Sequence, residues 1–238
     1  VFGLGEATFA SSCVADARYL TPIPEGMGFD EAATIPLVYL TAWYALCDLG
    51  HIESGEAILV HAAAGGVGMA AVQLAQHLGA EVYGTASEPK WETLRALGLD
   101  DAHIASSRDL GFQQKFSTHR DGKPIDVVLN ALAREFVDAS LELLGSGGRF
   151  LEMGKTDIRS AQWLAENKPE IAYHAFDLLD VDPERMQAML LEITSLLGRG
   201  EMKLLPHQSF PMARLSHVFR FMAQAKHIGK LVVVPTES

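Results

Sequence analysis

The chain has 238 residues, 48% hydrophobic and 21% charged, with 19 Lys and Arg against 30 Asp and Glu for a formal net charge of −11. That length and apolar share support a full buried core and exclude a disordered chain, and an acidic balance with no Lys/Arg run argues against a nucleic-acid partner. Only two cysteines, Cys13 and Cys47, are present, which excludes a disulfide framework or a four-thiolate zinc site and points to the reducing cytoplasm.

The opening VFGLGEATFASSCVADARYL reads as short strand-like stretches from the middle of a longer protein, with Glu6 and Asp16 where a signal peptide is basic and then apolar. A helix is predicted over 31–49 despite Pro36. Residues 57–60 make a short apolar strand, followed by a glycine turn and a helix that stops at Gly79. The uncharged run 57–80 is long enough to cross a bilayer. Gly65, Gly66 and Gly68 interrupt it, however, and His61, Gln73, Gln76 and His77 are polar, so it reads as strand, turn and packed helix with no membrane partner. Strands follow at 81–85, 102–105, 125–130, 148–153 and 171–176, with helices at 89–97 and 136–144. Near-continuous apolar strands separated by helices predict an α/β fold with a doubly wound parallel sheet. Beyond the sheet come a helix over 183–197, a helix over 215–225 and a last strand at 231–234. Met186, Met189, Leu190, Ile193 and Leu197 form a core stripe at helical spacing.

Residues 58–68 carry Ala63-x-Gly65-x-x-Gly68 between a strand and a helix. Unpaired amides and the dipole at a helix N-terminus hold a pyrophosphate, and glycine lets the backbone approach it. Ala63 stands where the first glycine of the usual pattern falls, so the strand-to-helix context is what marks the turn as a dinucleotide cradle. Ala63, Ala64, Gly65, Gly66, Val67 and Gly68 are its candidate contacts; a tight turn with no ligand is the other reading. An acidic residue at the end of the second strand would accept from a ribose 2′-OH, but this chain has Thr85-Ala86-Ser87-Glu88-Pro89-Lys90 there. Ser87 and Lys90 suit a 2′-phosphate, Arg108 after the third strand reaches the same pocket, and Glu88 is expected to face solvent. NADPH is therefore the expected cofactor over NADH, against the alternative that Lys90 and Arg108 are solvated surface charges.

In order, HAAAGGVGMAAVQLAQHLGAEVY, TASEPKW, HIASSRDLGF, DVVLNALA, GGRFLEMGKTD and HIGKLVV resemble the enoyl-reductase domain of polyketide synthases and animal-type fatty acid synthases, in the zinc-free branch of the medium-chain dehydrogenase/reductase superfamily. The resemblance implies a Rossmann domain over 23–204, with remnants of a barrel-like substrate domain at 1–22 and 205–238, the chain starting near the end of that domain. It implies no metal, and a reaction in which hydride goes from NADPH to the β-carbon of an α,β-unsaturated acyl thioester on acyl carrier protein and a proton goes to the α-carbon. Neighbouring synthase domains would be further partners. Lys155 and Asp177 lie just past the fifth and sixth strands, over one crevice at the carboxyl edge of the sheet. The resemblance implies that they are the proton-donor pair; an ordinary surface ion pair is the alternative.

Asn130, ending the fourth strand, is placed to bond the nicotinamide ribose or to cap its own loop. Thr41 is expected to touch the nicotinamide, with Trp43 and Tyr44 in the core. Gly154 and Lys230 are cofactor contacts by resemblance, Lys230 equally a guard of a strand edge, and His61 is a packed strand histidine. Edge pairing through 231–234 makes a homodimer possible. A free-standing quinone oxidoreductase-like enzyme and an NADPH-binding, dimerising module without turnover are the competing functions.

Overall fold

The computed structural model describes residues 1–10 and 12–235. They divide into two compact units, Ala42–Asp180 and a second made of Val1–Thr41 with the chain from Val181 onward.

The chain enters the second unit through β1 (Phe2–Gly3), antiparallel to β2 (Leu20–Thr21), then α1 (Phe29–Ala33) and α2 (Pro36–Trp43). The single helix predicted over 31–49 is thus broken ahead of Pro36, which sits at the first position of α2, where its missing N–H costs nothing. The Thr34 hydroxyl closes α1 by donating to Glu31 O at 2.6 Å. From Tyr44 to Leu49 the coil widens to a π-helix, and Gly50 N donates to Ala45 O at 2.8 Å.

Unit Ala42–Asp180 alternates β3 (Ala57–Val60), α3 (Gly66–His77), β4 (Glu81–Ala86), α4 (Trp91–Ala96), β5 (Ile104–Ser106), α5 (Gly111–His119), β6 (Ile125–Asn130), α6 (Glu135–Leu141), β7 (Leu144–Glu152), α7 (Ala161–Asn167) and β8 (Ala172–Ala175). The strands form one parallel sheet in the order β5-β4-β3-β6-β7-β8. The winding direction therefore reverses between β3 and β6, the place where doubly wound sheets open a crevice for ligands. β3 is buried along its whole length, as a central strand covered on both faces must be. Leu59, Tyr83, Phe112, Phe116, Val128 and Phe150 fill one core cluster.

Two helices were not visible in the periodicity. In α5 only Phe112 and Phe116, four residues apart and both fully buried, anchor a largely polar segment. α7 buries no residue and begins at a Ser160 cap that accepts from Trp163 N. Neither segment repeats an apolar spacing long enough to register as a face.

The chain returns to the second unit with α8 (Pro183–Gly198), β9 (His207–Pro211), α9 (Leu215–Ala223) and β10 (Lys230–Val234). Met186, Met189, Leu190 and Ile193 are buried as expected, but Leu196 rather than Leu197 completes the stripe. α8 packs on β2 and the turn before it. Positions 22/23 and 204/205, where the resemblance implies domain boundaries, both lie inside this unit. Two separate strand pairs, β1-β2 and the parallel β9-β10, stand here, and among the described residues they close no barrel. No helix among the described residues is long and apolar enough to cross a membrane.

Candidate functional site

The glycine turn leaves β3 at the point where the sheet reverses. His61 N still bonds Leu129 O at 3.0 Å, and Ala63 N bonds Thr85 O at 2.8 Å, so the turn is tied to strands on both sides. Ala62 holds a left-handed backbone, φ 49°, and its carbonyl accepts from Gly65 N at 2.8 Å. A Cβ on Gly68 would stand 2.4 Å from that same Ala62 O, and no side chain fits there. The departure at Ala63 is matched across the sheet: a Cβ on Gly84 would meet the Ala63 methyl at 3.0 Å, so glycine on β4 makes room for alanine in the turn. Ala63, Ala64 and Gly68 are buried and shape the turn, while Gly65, Gly66 and Val67 are partly accessible at the start of α3. The first-turn amides of this 12-residue helix have no intrahelical acceptor and point out of its N-terminus. Residues of this kind fit a diphosphate. Partly accessible Ala62 belongs with them; its positive φ has no signature in an alanine run.

His61 lies beneath the turn, fully buried, with Nδ1 2.8 Å from Thr85 Oγ1 and Nε2 2.7 Å from Ser140 Oγ. The Ser140 hydroxyl donates to Phe136 O at 2.6 Å and so accepts from Nε2–H, which leaves Nδ1 to accept from Thr85. Burial pushes the ring's pKa down to about 3. His61 is a neutral strut and not an acid or base.

At the far end of β4, Ser87 precedes the short turn Glu88–Lys90 without a side-chain capping bond to it, and Glu88 is exposed. The Lys90 pKa is lowered, by burial first and then by the charge of Arg108, so two cations crowd one spot beyond β4 and β5. Arg108 is exposed, and its amide bonds Ser106 Oγ at 3.1 Å.

On the other side of the crevice, Lys155 and Asp177 meet: Nζ lies 3.0 Å from Asp177 Oδ2 and donates to Phe176 O at 2.9 Å. The Asp177 pKa is held low, by the Leu179 amide first and by Lys155 second. With side chains 56% and 42% exposed, the pair adds little to stability. Tyr44 is half-buried and packs edge-on against Phe176 at 5.8 Å between ring centroids.

Asn130 behaves as the cap. Its Nδ2 donates to Leu132 O and to Glu152 Oε2, each at 2.8 Å, and its Oδ1 accepts from Leu132 N at 3.1 Å. Both donors are committed within the loop, which leaves no N–H for a ribose. Gly154 N likewise donates inward, to Glu152 Oε1 at 2.6 Å. Glu152 itself, 1% exposed, escaped the sequence reading; the available signal was a lone carboxylate ending the apolar run Phe150–Leu151 on a strand buried from both sides. Thr41 and Lys230 belong to the other compact unit. The Thr41 hydroxyl donates to Leu37 O at 2.7 Å in its own helix, and Lys230 opens β10, its pKa lowered by burial.

A family model described as zinc-binding dehydrogenase matches residues 97–233, more than half of the chain. Among solved structures, the CurK enoyl reductase superposes with a TM-score of 0.88 at 43% identity, covering 93% of this chain and 67% of that one. The chain belongs to the zinc-binding dehydrogenases, as a homologue of polyketide-synthase enoyl reductases. This family member is also 54% identical over 233 residues to the pikromycin polyketide synthase component PikAII of Streptomyces venezuelae, and it spans 98% of its own length but 6% of that synthase. The nucleotide-binding subdomain of the enoylreductase domain of PpsC from Mycobacterium tuberculosis matches with a TM-score of 0.63 at 36% identity, over 71% of this chain and 97% of that one.

Among the described residues, no group with metal-ligand spacing lies at the glycine turn or at the Lys155–Asp177 pair. One group among the described residues has metal-ligand spacing, Glu81, His103 and His119. It sits at the amino-terminal end of β4, the sheet edge opposite the glycine turn, and the Glu81 carboxylate is already engaged by Tyr83, Arg120 and His103. No step is routed through it.

Proposed function

We propose that this chain is the NADPH-dependent enoyl-reductase domain of a cytoplasmic modular synthase, acting on α,β-unsaturated acyl thioesters carried by acyl carrier protein. The observation that carries this reading is the Lys155–Asp177 pair, 3.0 Å apart, in the same parallel-sheet unit as the glycine turn. When bound, the nicotinamide supplies hydride to the β-carbon. The accessible amides at Gly66 and Val67 hold the diphosphate, and Ser87, Lys90 and Arg108 hold the 2′-phosphate, whose charge relieves the crowding of the two cations. The Lys155 ammonium faces the developing enolate, stabilises the negative oxygen and delivers a proton to the α-carbon. Asp177 holds that ammonium in place. The family and the nucleotide-binding likeness support this reading over a quinone oxidoreductase-like enzyme. Lys155, with its exposed, paired ammonium, supports a catalyst over a binding module without turnover.

The test is oxidation of NADPH, followed by absorbance, with a crotonyl thioester and the full-length protein. Turnover is expected, and Lys155→Ala lowers kcat by about 10²-fold or more, the typical contribution of a positioned acid, with NADPH affinity unchanged. Tight NADPH binding with no turnover would establish the binding module instead.

A further inference from the structure

The carboxylate of Glu152 lies buried at the end of β7, and three donors from neighbouring strand ends converge on it. Asn130 Nδ2 from the end of β6 reaches Oε2 at 2.8 Å, the Tyr173 hydroxyl from β8 reaches Oε2 at 3.4 Å, and Gly154 N from the loop after β7 reaches Oε1 at 2.6 Å. Desolvation raises its pKa while these donors oppose the rise, so the site is built to keep a carboxylate where a carboxylate is costly. A network of this kind has a function when its members hold something else still.

Here both ends of the Lys155–Asp177 pair hang from residue 152. Its side chain grips the amide of Gly154, the residue before Lys155. Its main-chain carbonyl accepts from Phe176 N at 3.3 Å, and Phe176 O is the acceptor of the Lys155 ammonium at 2.9 Å. Asp177 follows directly. One residue therefore sets where the loop carrying Lys155 leaves β7 and where the carbonyl and carboxylate that receive its ammonium stand. Gly154 is glycine for the same reason, since a Cβ there would lie 2.7 Å from Glu152 Oε1.

We infer that Glu152 is a positioning residue for proton delivery, fixing the Lys155 ammonium through Gly154 and Phe176 without touching substrate. The inference rests on the role proposed for Lys155 and deepens it. Glu152→Gln offers one oxygen: if it accepts from Gly154, its NH₂ confronts the NH₂ of Asn130. Asn130→Asp supplies the missing acceptor, so the double variant rebuilds the contact between 152 and 130 with donor and acceptor exchanged, while losing the donor to Leu132 O. In the full-length protein, Glu152→Gln is expected to lower kcat about tenfold to a hundredfold, the scale of a misplaced catalytic group, with NADPH Kd from a fluorescence titration unchanged. The double variant recovers part of the lost kcat, the bond to Leu132 O being absent. Gly154→Ala disturbs the same carboxylate from the loop side with no change of charge and is expected to lower kcat likewise; it carries the test should Glu152→Gln fail to fold. Parental kcat in both single variants overturns the inference, as does NADPH affinity falling in step with kcat, or a double variant no faster than Glu152→Gln. Lys155→Ala is measured alongside. If it is as fast as the parent, the reading of Lys155 falls, and this inference with it; if it is slow while Glu152→Gln and Gly154→Ala are not, this inference falls alone.

Discussion

Lys90 shows what burial and a neighbouring cation do to a charge. Its pKa is drawn down by desolvation and by Arg108, so the ammonium is held at a cost that an anion would remove. A 2′-phosphate is such an anion and a ribose hydroxyl is not. Lys90→Ala is therefore expected to weaken NADPH binding by about 10- to 100-fold, the worth of one charge-assisted hydrogen bond, and to leave NADH binding unchanged, as read by direct titration of both. Equal losses for the two would remove Lys90 from the 2′ site. Other single residues divide in the same way between contact and support. Gly66 is partly accessible at the N-terminus of α3, whereas Asn130 and Gly154 turn their polar atoms inward to the protein, which no inspection of DVVLNALA or EMGKTD reveals.

Elements are joined here by buried polar struts as well as by apolar packing. His61 links β3 to β4 through Thr85 and to α6 through Ser140, all three fully buried. Its folded pKa of about 3 lies below the ordinary 6.5. The unfolded chain therefore binds the extra proton first, and the strut's full contribution is present above pH 6.5 and lost as pH falls toward 3. Between pH 7.5 and 5 the stability advantage of the parent over His61→Asn is expected to shrink by about 2 kcal/mol, measured as urea unfolding free energies at the two pH values. An advantage that does not change would mean that His61 titrates normally. The same scale explains which elements were legible. The strands of the parallel sheet and α3 announce themselves as apolar runs closed by glycine. α5 does not, because two phenylalanines four residues apart are enough to anchor it against the core once the sheet exists, and α7 has only its Ser160 cap.

Across the whole molecule, the sheet unit carries the glycine turn, the two cations and the Lys155–Asp177 pair, so cofactor binding is expected to stabilise that unit as a ligand stabilises any fold it selects. At a concentration about 100 times Kd, NADPH is expected to add about 2.7 kcal/mol to unfolding, seen as a rise in the thermal midpoint of Ala42–Asp180 that NADH at the same concentration does not match. No rise with either cofactor would count against the turn as a diphosphate site. The second unit gathers its residues from both ends of the chain, and α8 joins it although helix and sheet alternate without a break up to that point.

Local spacing was enough for the parallel α/β sheet, the strand–turn–helix at Ala63–Gly68 and the family, because apolar period, glycine placement and motif order are properties of neighbouring residues. That Asn130 turns a donor toward Glu152, why Gly84 answers Ala63, and that Glu152 sits at the meeting of three strand ends depended on distant segments being brought together. Hydrogen-bond satisfaction in a dry interior is settled by partners 20 or more residues away, and nothing in the order of residues along the chain records them.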